Sequence, residues 1–121
     1  MLPVPVAHYS QYLIFLFFVC VCFYSLLVPA RISSFGVRIL KPWHSSVILT
    51  CYTFGIPAPR SQWLKGEYPI QANRNNALKE NGELELSNLL KSDVHNYTCS
   101  AQNKLGSDSI TYQLVVQGQF T

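Results

Sequence analysis

No Lys, Arg, Asp or Glu occurs in the first 30 residues of this 121-residue chain. Charge is scarce throughout, at 12% of residues, and the net charge of +3 is dispersed. Lys41, Lys65, Lys79, Lys91 and Lys104 stand far apart. There is no basic cluster with interleaved aromatics, so nucleic-acid binding lacks its electrostatic footprint. The C-x₂-C spacing of a zinc site is missing. Paired catalytic carboxylates, a phosphate-cradling loop and a strand-to-helix nucleophile elbow are missing too. His95 lies two residues from Asp93, but nothing fixes a Ser beside its imidazole. An enzyme is therefore not expected, nor any metal or cofactor, and His44 and His95 read as surface residues.

What is present begins with an apolar run. Residues 12–28, YLIFLFFVCVCFYSLLV, are slightly long for a signal-peptide core and short for a membrane span. Val28-Pro29-Ala30 supplies small residues for cleavage after Ala30. Residues 1–30 thus read as a signal peptide, as an uncleaved anchor holding the membrane through residues 12–28, or as no natural leader at all. Arg31, Arg38 and Lys41 follow the run, and on the anchor reading they favour keeping the rest of the chain in the cytosol. The nine basic and six acidic residues all fall in residues 31–121. Residues 31–117 read as one folded unit and 118–121 as a tail.

That unit carries the period-2 signature of half-buried strands. Tyr97, Cys99 and Ala101 share one parity, while Asn96, Thr98, Ser100 and Gln102 take the other and are polar. Val47, Leu49 and Cys51 alternate in the same way, and Trp63 lies between the two cysteines. A Tyr two residues before a Cys, with an earlier Cys and an intervening Trp, is the spacing of a two-sheet sandwich with a tyrosine corner. Two buried free thiols in an unrelated β-domain are the alternative.

Taken in order, residues 30–41 read as a linker and first strand with Ile32, Phe35, Val37 and Ile39 as its apolar positions, broken at Pro42. A second strand spans about 46–52, and Gly55-Ile56-Pro57-Ala58-Pro59 reads as a turn. The next strand, 60–65, places Trp63 inward beside Ser61. Residues 66–69 turn the chain, and a short strand lies near 77–79. Little room is left for the additional strands of a variable-type domain. Asn81-Gly82 is a turn, and Leu84, Leu86 and Leu89 face inward. The last strand alternates through Ile110, Tyr112, Leu114 and Val116.

With these strands placed, residues 30–117 resemble an I-set immunoglobulin domain. The resemblance rests on Cys51, Gly55, Pro57, Pro59, Trp63, Leu84, Leu86, Asp93, Tyr97, Cys99, Ala101, Asn103 and Gly106. More narrowly, the flanks VPARISSF and GSDSITYQLVVQ are similar to a module of the Down syndrome cell adhesion molecule family, arthropod type, that lies late in the ectodomain. This chain departs from the family in carrying His95 where Gly is usual, and in being one module where the family's receptors have many. The resemblance implies an all-β antiparallel sandwich with a Cys51–Cys99 disulfide and a core of Trp63, Tyr97, Leu84 and Leu86. A structural disulfide belongs to an oxidising compartment, hence outside the cell. It also implies a cell-surface recognition module of neuronal wiring or immunity with protein partners, homophilic pairing among them. The family's homophilic contacts are assigned mainly to earlier modules, which makes a late one a spacer. A secreted ligand or decoy, a fragment of a longer receptor, and an intracellular scaffold module are the other readings.

Three further expectations concern sites. Asn96-Tyr97-Thr98 is an N-x-[ST] sequon with Asn96 on the face away from Tyr97. Arg74 and Asp93 are a candidate ion pair. Gln62, Leu64, Thr98, Ser100 and Gln102 form the candidate outward-facing interface.

Overall fold

The computed structural model describes residues 26–118. The expected N-terminal hydrophobic helix or leader lies outside the described residues up to residue 25, as do residues 119–121 of the tail. Ten strands follow in order: β1 Val28–Ile32, β2 Arg38–Pro42, β3 Val47–Leu49, β4 Thr53–Ile56, β5 Arg60–Lys65, β6 Tyr68–Pro69, β7 Asn76–Leu78, β8 Leu84–Leu86, β9 His95–Asn103 and β10 Gly106–Gln117. One sheet runs β2-β10-β9-β5-β6. Against it lie β3-β8-β7 and the β1-β4 pair. All pairings are antiparallel except β2 with β10, which is parallel.

The core forms where the alternation predicts. Leu49, Cys51, Leu84, Leu86, Leu89, Tyr97, Cys99 and Leu114 are fully buried between the layers. Each buried leucine contributes about 1.5–3 kcal/mol relative to exposure. Tyr112, Val116 and Trp63 close the same cluster. Asn81-Gly82 makes its turn, with Gly82 at φ +90°, and the Trp63 indole N–H donates to the Gly82 carbonyl at 2.8 Å.

Five details differ from the sequence reading. The stretch 30–41 is two strands, not one: β1 pairs with β4, then the chain crosses over and β2 joins β10. Phe35 and Val37 fall in the crossover and are exposed, so they are not core positions. Gly36 permits the crossing, because a Cβ there would sit 2.0 Å from the Thr111 carbonyl oxygen. Second, Gly55 and Ile56 belong to β4, and the turn begins only at Pro57. Third, Tyr68–Pro69 is a two-residue strand on the edge of β5, not part of the turn. Fourth, Ser61 is exposed although it shares parity with Trp63, because it lies toward the sheet's rim. Fifth, the folded unit takes in Val28, Pro29 and Ala30, which the division at residue 31 assigned to the leader.

Candidate functional site

Two features define what the module can present: a covalently fixed centre and two outer sheet faces. Cys51 and Cys99 are joined by a disulfide, with Cα atoms 6.3 Å apart. Trp63 stands directly opposite Cys99 in the β5–β9 register, and its ring centroid lies 6.0 Å from that of Tyr112. The Tyr97 hydroxyl donates to the Asp93 carbonyl at 2.6 Å, forming the tyrosine corner. Burial pushes the Tyr97 phenol pKa well above its ordinary value, and the nearby Asp93 charge adds to the effect.

Asp93 does not pair with Arg74. A 3-10 turn, Lys91–Asp93, holds its carboxylate where it accepts from the Leu90 N–H at 2.8 Å. Its other oxygen lies 3.9 Å from the Lys65 Nζ. The sequence offers several basic residues at loop distance from Asp93, and only the path of β5 selects Lys65. At the surface such a pair contributes about 0–1 kcal/mol.

The five expected interface residues do share one face. Leu64 is opposite Thr98, and Gln62 opposite Ser100, in the β5–β9 register; Gln102 continues the row opposite Arg60. On the other side, Thr98 faces Thr111 and their hydroxyls lie 2.9 Å apart. Gln62 and Gln102 are exposed; Leu64, Thr98 and Ser100 are half-buried. Asn96 extends the same polar face and is exposed, while its carbonyl accepts from the Gly66 N–H at 2.9 Å.

Asn103 matters more than its place in a motif suggested. Its side-chain oxygen accepts from the N–H groups of Ala30, Leu105 and Gly106 at 3.2, 2.9 and 3.1 Å. Its amide donates to the Val28 and Pro57 carbonyls at 2.8 and 3.0 Å. One side chain thus ties the first strand, the β4–β5 loop and the β9–β10 turn together. The only sequence signal was an Asn three residues before a Gly at a hairpin, which marks a turn and not its distant partners.

At the far side of the sandwich, the Tyr52 hydroxyl donates to Glu83 at 2.7 Å. That bond raises the Tyr52 pKa and, from the other side, lowers that of Glu83.

The comparisons agree with this geometry. The immunoglobulin I-set domain model matches residues 42–116. The chain is 37% identical over 92 residues to the cell adhesion molecule Dscam2 of Drosophila melanogaster, covering 74% of this chain and 4% of that protein. It is 37% identical over 93 residues to the cell adhesion molecule DSCAML1 of Mus musculus, again covering 74% and 4%. Among solved structures, Drosophila OTK extracellular domains 3–5 superpose with a TM-score of 0.69 at 29% identity, covering 74% of this chain and 32% of that one. The chain spans only about a twentieth of the length of the curated relatives it matches. It belongs to the immunoglobulin I-set domain family.

Proposed function

We propose that this chain is a recognition module of a cell-surface adhesion protein, working outside the cell and binding protein partners through its outer sheet faces. The observation that carries the reading is the 37% identity to the cell adhesion molecule Dscam2 on a sandwich closed by a disulfide. A disulfide of this kind persists in oxidising compartments. Flat sheet faces suit protein partners, whose contacts spread over about 800 Å² a side. Neuronal wiring and immune recognition are the settings this reading covers. A spacer role within a longer receptor, in which this chain itself holds no partner, is the alternative.

Beads coated with the full chain test it on cultured neurons and haemocytes. Adhesion above that of beads carrying the reduced, unfolded chain supports the reading. Equal adhesion of the two contradicts it.

A further inference from the structure

Asn81 is the one asparagine of the chain followed by glycine; Asn73, Asn75, Asn76, Asn88, Asn96 and Asn103 each precede a residue with a side chain. The pair lies at the tip joining β7 to β8. The Gly82 N–H donates to the Lys79 carbonyl at 3.0 Å, and the Lys79 N–H to the Glu83 carbonyl at 2.9 Å. Glu80 and Asn81 are exposed. A short solvated tip of this kind opens at little cost.

Glycine at position 82 is imposed by the fold. Its φ is +90°, a region that residues with a Cβ avoid. A Cβ there would also stand 2.9 Å from the Cys51 carbonyl oxygen. The same missing Cβ leaves the Gly82 nitrogen unhindered beside the Asn81 carboxamide. That nitrogen, once its proton passes to solvent base, can attack the Asn81 Cγ. The N–Cγ bond forms, the carboxamide C–N bond breaks, and the amide nitrogen takes up a proton and leaves as ammonia. The cyclic imide then adds water and opens to aspartate or to isoaspartate. The carboxamide oxygen under attack accepts from the Glu83 N–H at 3.1 Å, which steadies the negative charge that develops on it.

What the turn holds gives the reaction a consequence. The Gly82 carbonyl accepts from the indole N–H of buried Trp63 at 2.8 Å. Isoaspartate carries the main chain through the former side chain, one methylene longer, immediately before Gly82. The carbonyl that anchors the indole is displaced with it. A cavity of about 190 Å³ whose lining includes Trp63, Gly82 and Glu83 leaves room for that displacement. An indole N–H left without its acceptor inside the core costs more than the bond was worth.

We propose that Asn81 is a site of spontaneous deamidation, and that its isoaspartyl form releases Trp63 from Gly82 and so loosens the core from a turn on the surface.

Ageing the full chain in mildly alkaline buffer, which speeds loss of the amide proton, tests it. Peptide mapping with an isoaspartyl methyltransferase finds isoaspartate at position 81 and leaves every other asparagine intact. The isoaspartyl form, separated by ion exchange, melts about 5 °C or more below the fresh chain. Asn81→Asp carries the same new charge without the longer main chain, and melts within about 3 °C of the fresh chain. Asn81→Gln keeps its Tm through ageing. An Asn81 that stays amidated in the folded chain overturns the site. An isoaspartyl form that melts with the fresh chain, or an Asn81→Asp chain that melts as low as the isoaspartyl form, overturns the link to Trp63.

Discussion

The Asn103 amide reaches back to the Val28 carbonyl across 75 positions of sequence, at 2.8 Å. This bond, with the one from the Ala30 N–H to the same side chain, makes the first strand part of the domain. Ala30 itself is fully buried. Asn103→Ala removes five hydrogen bonds, each contributing about 0.5–1.5 kcal/mol. Chemical denaturation should show a loss of at least about 2.5 kcal/mol. Asn103→Asp should also destabilise, because a carboxylate cannot donate to Val28 and Pro57. A chain beginning at Arg31 should lose stability for the same reason. If all three unfold at the wild-type denaturant midpoint, Asn103 is not the clamp described.

Gly36 lies where the chain crosses between sheets. Its position is a matter of space, since an added Cβ meets backbone atoms of Thr111 at 2.0–2.8 Å. Backbone cannot swing aside as a side chain can. Gly36→Ala should cost about 2–3 kcal/mol by overpacking, read as a lowered Tm. An unchanged Tm would mean that the crossover relaxes freely.

Tyr97 predicts an alkaline limit. Its pKa is raised in the folded state, so the unfolded chain loses this proton first as pH rises. The contribution is fully present below the unfolded value of about 10 and is lost progressively above it. Stability of the wild-type chain should therefore fall above about pH 10, and Tyr97→Phe should flatten that fall. Tyr97→Phe should also cost about 1 kcal/mol at neutral pH, through the lost bond to Asp93. Parallel pH profiles for the two proteins would refute the assignment.

Asn96 is exposed on the polar face. Protein secreted from eukaryotic cells should lose mass on peptide-N-glycosidase treatment, and Asn96→Gln should abolish the shift. No shift in wild-type protein would show that the sequon is unused.

The parts of the fold legible in the sequence are those governed by a period of two. Leu84, Leu86, Tyr97, Cys99 and Leu114 lie where alternation placed them, because a strand offers only two faces. The crossover was not legible, since Ile32, Phe35, Val37 and Ile39 read as one apolar series and only Gly36's tight contact divides it. Lys65 could not be told from Arg74 as the partner of Asp93, because loop paths and not spacing decide that choice. The polar outer face was legible through the same alternation that marked the core.

Cys51–Cys99 locks the sandwich, and the proposed extracellular role places it where thiols are oxidised. The bridge closes a loop between positions 48 apart, which chain entropy values at about 4 kcal/mol. Cys99→Ala should accordingly be severely destabilised. The most direct measurement is non-reducing peptide mapping by mass spectrometry of the chain as cells produce it, with thiols blocked at lysis. The account predicts that the Cys51 and Cys99 peptides are recovered as one linked species; recovery of both as alkylated free thiols would contradict it.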